Sequence, residues 1–82
     1  MISIKVLGPG CSKCKVLEQA VRDVVSENNI DAEVKKVDDI MEIMNYGVIS
    51  TPGIVINEKL ALSGRVPSKE EINELIKKHG YN

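Results

Sequence analysis

The sequence contains neither phenylalanine nor tryptophan, and it has only two tyrosines. Its hydrophobic fraction of 43% is ordinary for a globular protein, so the core must be built from valine, isoleucine, leucine, methionine and alanine. Such a core packs well but excludes an aromatic platform for stacking. At 82 residues the chain has room for one small domain, which we expect to span residues 1–82.

An excess of charge of either sign is also missing. Eleven basic and twelve acidic side chains leave a net charge of −1, so the chain lacks the electrostatic footprint that nucleic acid or anionic lipid requires. We therefore expect neither nucleic acid nor a membrane as a partner. Met1 leads into a short apolar run without the basic region, long apolar stretch and cleavage site of a signal peptide, which predicts a cytoplasmic protein.

Cysteine is scarce, and both cysteines lie in one segment, Gly8-Pro9-Gly10-Cys11-Ser12-Lys13-Cys14. A pair with this C-x-x-C spacing can be a dithiol that exchanges with disulfides, half of a metal site, or an accident of composition. In a reducing compartment, close cysteines are more often redox-active or metal-binding than a structural bridge. A structural bridge that closes so short a loop would also stabilise the fold little.

Apolar periodicity predicts seven elements in the order strand, helix, strand, helix, strand, strand, helix. Alternating or continuous apolar runs predict strands near 2–7, 30–37, 54–56 and 60–62. Helical patterns begin after Cys14, after Asp38 or Asp39, and after a capping box that starts at Ser68. Strands separated by helices pair in parallel, and the closing hairpin adds an antiparallel edge, so the fold class is α/β with a mixed sheet.

These elements and three motifs together resemble the thioredoxin superfamily. The motifs are the C-x-x-C pair after the first strand, Tyr46-Gly47-Val48 before a proline, and Thr51-Pro52 at the entrance to a buried strand. The size of the chain and its 8–14 segment are most similar to the small redox-active disulfide proteins, which are glutaredoxin-sized thioredoxin homologues. The resemblance implies a thioredoxin-like three-layer fold of order βαβαββα, with a four-stranded mixed sheet and helices on both faces.

The resemblance also implies a thiol–disulfide oxidoreductase, or redox carrier, that needs no cofactor beyond a redox-active Cys11–Cys14 disulfide. Cys11 would be the nucleophile, and Cys14 the resolving thiol. The expected partners are disulfide-containing proteins or small-thiol disulfides, together with an upstream reductase that recharges the dithiol. We expect the chain to act as a monomer.

The charge near the cysteines fits this chemistry. Only the thiolate attacks a disulfide, and an unperturbed cysteine with a pKa of about 8.5 is mostly protonated at neutral pH. A sulfur at Cys11 would face the unpaired N–H groups and the positive end of the following helix. Lys13 and Lys15 stand where a first helical turn ordinarily favours acidic residues, and we interpret them as support for the Cys11 thiolate. The alternative is that both lysines are simply solvated.

Pro52 has a role that only the resemblance implies. In the superfamily the proline at this position follows a cis peptide bond and lies against the dithiol, and Thr51 offers backbone groups that pair with an incoming substrate strand. Without the resemblance, a trans bond and a proline that merely begins a strand would be the default reading.

The sequence also departs from familiar relatives and leaves other functions open. Ser12-Lys13 stands between the cysteines, unlike the Gly-Pro of thioredoxins, and Ser63-Gly64-Arg65 differs from the glutaredoxin Gly-Gly-acidic motif, so redox potential and glutathione binding do not follow from the resemblance. Small heavy-metal carriers also have a C-x-x-C pair, but they usually place methionine where this chain has Pro9. Zinc would need four ligands, and one chain offers two thiols. A non-catalytic binding module is the third alternative.

Overall fold

A computed structural model describes residues 2–8, 12–48 and 50–80 of the chain. Its elements follow the predicted order, βαβαββα. They are β1 (Ile2–Leu7), α1 (Ser12–Glu27), β2 (Ala32–Val37), α2 (Ile40–Asn45), β3 (Gly53–Ile56), β4 (Lys59–Ser63) and α3 (Lys69–Gly80).

The four strands form one mixed sheet in the order β2-β1-β3-β4. β1 pairs in parallel with β2 and antiparallel with β3, and β3 pairs antiparallel with β4. The predicted central position of β1 and edge position of β2 are confirmed. Leu7, at the end of β1, lies opposite both Val37 of β2 and Gly53 of β3. The last residues of β1 and β2 and the first residue of β3 therefore meet at one end of the sheet.

One face of the sheet packs against α1 and α3. Both helices are amphipathic, and their apolar residues recur at helical spacing, so each presents one apolar stripe to the strands. The buried residues of this cluster are Ile2, Ile4, Val6, Leu17, Val21, Val24, Ile54, Ile56, Ile72 and Ile76. This cluster contains most of the buried apolar side chains of the described residues.

The opposite face is covered by α2 and holds a smaller cluster. Its buried residues are Leu7, Val37, Ile43, Val48 and Val55. The pattern of α2 predicts that Ile40, Ile43 and Met44 face inward, but only Ile43 does. Ile40 is 55% exposed and Met44 is 64% exposed. A helix of six residues makes less than two turns, so it has little length over which to bury a stripe.

The ends of the helices follow the predicted capping residues. The Ser68 hydroxyl accepts a hydrogen bond from the Glu71 amide at 3.2 Å, which caps α3. The Asp39 carboxylate accepts one from the Met41 amide at 2.8 Å, which caps α2. Asn29, the second residue after α1, adopts a left-handed conformation with φ of 51°, as expected for a helix stop. Among the described residues, no helix has the length and hydropathy needed to cross a bilayer.

Asn57 and Glu58 connect β3 to β4 through a two-residue turn. Both have positive φ, 51° and 67°, as a tight hairpin turn of the mirror-image type requires. The register of the hairpin shifts between Ile54 and Val55, which face Leu62 and Leu60. The sequence predicts that Ser63-Gly64 ends or bulges this strand; β4 ends at Ser63, and the register shift lies earlier in the hairpin.

Candidate functional site

Those predicted site residues that the structure describes lie at the end of the sheet where β1 finishes and β3 begins. The Gly8 amide donates a hydrogen bond to the Val37 carbonyl at 2.9 Å, which extends the β1–β2 ladder by one residue. Gly53, the first residue of β3, lies opposite Leu7. Thr51-Pro52 therefore enters the sheet beside the point where β1 leaves it for α1.

Cys14 is the third residue of α1 and is only 2% exposed. Its sulfur is disulfide-bonded, so Cys14 is not a free thiol in the structure. The predicted nucleophile Cys11 and its neighbours Pro9 and Gly10 lie outside the described residues. Cys14 thus has the burial expected of a resolving thiol, because a bulky substrate has no direct route to its sulfur.

A close contact joins Gly8 to Cys14. A Cβ atom built on Gly8 would lie 2.2 Å from the Cys14 Sγ and 2.8 Å from the Cys14 Cβ. Both distances are far below the contact distance of about 3.5–4.0 Å between non-bonded heavy atoms. This contact could not be predicted from the sequence, because a glycine in a chain-reversing segment does not indicate which distant side chain it touches.

Thr51 and Pro52 form the second part of the site. The peptide bond between them is cis. Pro52 is fully buried, and its carbonyl accepts a hydrogen bond from the Gly64 amide at 2.9 Å. Thr51 is half-buried, and within the described part of the chain its amide and carbonyl are paired with no other backbone group. These two groups can therefore pair with an added strand.

Gly64 supports this segment and was not predicted to do so. It has a left-handed backbone, with φ of 89°, and a Cβ atom at this position would lie 2.9 Å from the Ser50 hydroxyl oxygen. Glycine is thus required both for the conformation and for the space beside Ser50. The position of Gly64 after the hairpin does not by itself indicate this contact with Ser50.

Lys13 and Lys15 are exposed residues of the first turns of α1. The first turn of α1 contains no acidic side chain. Among the described residues, no carboxylate forms an ion pair with either lysine. Their positive charges therefore add to that of the N-terminal end of the helix.

A polar cluster that the sequence analysis missed lies on the α2 face of the sheet. The Lys5 ammonium donates hydrogen bonds to Glu58 Oε1 and to the Tyr46 hydroxyl, both at 2.8 Å. The Tyr46 hydroxyl in turn donates to Glu58 Oε2 at 3.0 Å. The hydrogen bond with Glu58, and then that with Tyr46, raises the pKa of Lys5. The hydrogen bond from Lys5, and then that from Tyr46, lowers the pKa of Glu58.

The described residues contain no group of three or more histidine, cysteine, aspartate or glutamate side chains arranged to hold a metal ion. The described groups at this end of the sheet are the buried Cys14, two exposed lysines, and the Thr51 backbone, whose amide and carbonyl bond no other described backbone group. This set suits nucleophilic sulfur chemistry on an extended peptide.

Comparisons with known proteins agree with this geometry. A family model described as a thioredoxin domain matches residues 2–77. A thioredoxin of Methanothermobacter thermautotrophicus is 38% identical over 76 residues, covering 93% of this chain and 99% of the relative. A thioredoxin of Methanocaldococcus jannaschii is 39% identical over 79 residues, covering 96% and 91%.

Solved structures of thioredoxins share the fold of this chain. The germline-specific thioredoxin Deadhead of Drosophila melanogaster superposes with a TM-score of 0.68 and 20% identity, over 94% of this chain and 79% of that one. At this identity the likeness shows the fold alone. Together with the family model and the archaeal relatives, it shows that the chain belongs to the thioredoxin superfamily.

Proposed function

We propose that the protein is a thiol–disulfide oxidoreductase that exchanges a Cys11–Cys14 dithiol with disulfides of other proteins or of small thiols. Membership in the thioredoxin superfamily supports an oxidoreductase of this kind in general. The observation that carries the specific proposal is the burial of Cys14 in the first turn of α1, at the same end of the sheet as Thr51-Pro52.

The reaction proceeds in two exchange steps. The Cys11 thiolate attacks one sulfur of the substrate disulfide, which forms a mixed disulfide and releases the other substrate sulfur as a thiolate. The Cys14 thiolate then attacks the Cys11 sulfur, which closes the Cys11–Cys14 bond and releases the second substrate sulfur. Two electrons pass from the dithiol to the substrate, and the two protons of the dithiol end on the released thiols or in solvent. An upstream reductase restores the dithiol.

The burial of Cys14 supports its assignment as the resolving thiol, with Cys11 as the nucleophile. A cysteine residue that is 2% exposed cannot meet a protein disulfide directly, whereas its sulfur can attack a sulfur three residues away in the same chain. Thr51 contributes through its amide and carbonyl, which bond no backbone group among the described residues and would hold an extended substrate segment beside the dithiol. Pro52 holds this segment in place because its carbonyl accepts a hydrogen bond from the Gly64 amide.

Lys13 and Lys15 would stabilise the Cys11 thiolate through charge. Neutralising both, in a Lys13→Gln and Lys15→Gln double variant, should raise the pKa of the Cys11 thiol, measured by the pH dependence of its alkylation. The matched control is Lys78→Gln, which removes an exposed lysine from the last turn of α3, near the opposite end of the sheet. If the double variant and the control have the same thiol pKa, the two lysines are only solvated.

The function itself is tested by reduction of a protein disulfide with dithiothreitol as the electron source. The wild-type chain should accelerate the reaction, and Cys11→Ser should abolish the acceleration. Cys14→Ser should retain the first attack and accumulate a mixed disulfide, visible by mass spectrometry as the chain joined to substrate. Wild-type turnover equal to that of Cys11→Ser would overturn the proposal.

A further inference from the structure

The backbone of Gly8, which contacts Cys14, has little freedom to move. Its amide is bonded to the Val37 carbonyl, and the preceding residue, Leu7, is fully buried between its partner strands. The positive-φ glycines of the described residues are Gly47 and Gly64, so Gly8 is not required for an unusual conformation. Glycine is needed at this position because any Cβ atom would overlap the Cys14 side chain.

Cys14 is equally fixed. It belongs to α1, and Leu17, one turn further along, is fully buried in the core with Val21. Moving the Cys14 sulfur away from a new methyl group would require either another side-chain rotamer or a shift of the first turn of the helix. Protein interiors at native density resist such shifts.

We infer that Gly8 is a positioning residue for Cys14: its missing side chain leaves the space from which the Cys14 sulfur attacks Cys11. This inference rests on the proposed exchange function. In the resolving step the Cys14 sulfur forms a bond to the Cys11 sulfur, the bond from Cys11 to the substrate breaks, and the substrate leaves as a thiolate. A misplacement of about 1 Å in such an attack costs up to about 100-fold in rate.

The test separates the two attacks with an aromatic disulfide reagent that releases a coloured thiolate. One equivalent is released when Cys11 attacks the reagent, and the second is released when Cys14 resolves the mixed disulfide. In Gly8→Ala we expect the first phase to stay within about 2-fold of wild type and the second to slow by about 10–100-fold. A folded Gly8→Ala variant with an unchanged second phase would overturn the inference.

Gly80→Ala is the matched control. It also adds a methyl group against a buried side chain, because its Cβ would lie 2.9 Å from the Ile2 Cδ1, but this contact is between α3 and the beginning of β1. We expect Gly80→Ala to lower stability and to leave both phases unchanged. If both glycine variants slow the second phase equally, a general loss of stability is the cause and Gly8 has no specific effect.

A stability measurement covers the case in which Gly8→Ala folds poorly. Cys14→Ala removes the atom of the 2.2 Å contact, so adding Gly8→Ala in that background should lower the denaturation midpoint less than it does in the wild type. Equal decreases in the two backgrounds would overturn the steric contact. If wild type gives no second phase although the two decreases differ, the proposed function fails while the Gly8–Cys14 contact stands.

Discussion

The two faces of the sheet are built differently. Among the described residues, the face under α1 and α3 has an aliphatic layer of ten buried residues held by two long helices. The α2 face has five, under a helix of six residues. The smaller face also includes the Lys5–Tyr46–Glu58 cluster, in which three polar side chains bond one another. The difference indicates that packing on the α1–α3 face supplies most of the folding free energy, while packing under α2 contributes less.

The largest effect should come from the α1–α3 face. Ile76 of α3 is fully buried in the larger cluster, so Ile76→Ala removes apolar contacts and leaves a cavity that rigid neighbours cannot fill. We expect a loss of about 3–5 kcal/mol in the free energy of unfolding, measured by denaturant titration. A loss under about 1 kcal/mol would show that this face is not the stabilising one.

Ile43→Ala should cost less, because the short α2 helix can settle toward the sheet and reduce the cavity. Ile43 is 4% exposed and is the one buried residue of α2. We expect a loss of about 2 kcal/mol. The control is Met41→Ala on the exposed side of the same helix, where Met41 is 70% exposed and the change should stay within about 0.5 kcal/mol. An Ile43→Ala cost above that of Ile76→Ala would reverse the comparison of the two faces.

The cap of α3 gives a third, smaller effect. Ser68→Ala leaves the Glu71 amide without its acceptor and should cost about 1 kcal/mol. Ser26→Ala changes an exposed serine in the last turn of α1 and should stay within about 0.5 kcal/mol. Thermal unfolding of both variants measures the difference, and equal melting temperatures would show that the Ser68 cap does not stabilise α3.

The smallest effect should come from Glu58→Gln, and it depends on pH. The hydrogen bond from Lys5 lowers the pKa of the Glu58 carboxyl in the folded state. The ionised carboxylate therefore stabilises the fold at pH values above the ordinary glutamate pKa. This contribution is lost as the pH falls through the pKa of Glu58 in the folded state. The stability difference from wild type should therefore be full above the ordinary glutamate pKa of about 4.3 and should shrink as the pH falls below it. In a Lys5→Met background, the stability difference caused by Glu58→Gln should be smaller at neutral pH as well. A difference that is independent of both pH and Lys5 would exclude this interaction.

Local patterns in the sequence were sufficient for the order of the elements and the main core. Alternation in β1 and helical spacing in α1 and α3 are properties of neighbouring residues, and the Ser68 and Asp39 caps each act within three residues. The prediction for α2 was wrong at Ile40 and Met44, because periodicity gives the apolar side of a helix but not the area available to cover it.

Contacts between distant segments could not be predicted. Lys5 lies 41 residues from Tyr46 and 53 from Glu58, so the polar cluster exists only after the sheet and the hairpin have formed. The contact of Gly8 with Cys14 likewise depends on the angle at which α1 leaves β1, which no residue pattern specifies. The site roles remain predictions from the sequence and the resemblance, for Cys11, Cys14, Lys13, Lys15, Thr51 and Pro52 alike.

The exchange chemistry of Cys11 and Cys14 is tested most directly by equilibrating the full chain in dithiothreitol redox buffers of graded potential. Free thiols are then alkylated and counted by mass spectrometry. We predict a single two-electron transition in which both thiols of one chain disappear together, without chain dimers, and no such transition in Cys11→Ser. Thiols that remain alkylatable in every buffer, or that disappear only as chains become linked to each other, would contradict the Cys11–Cys14 exchange.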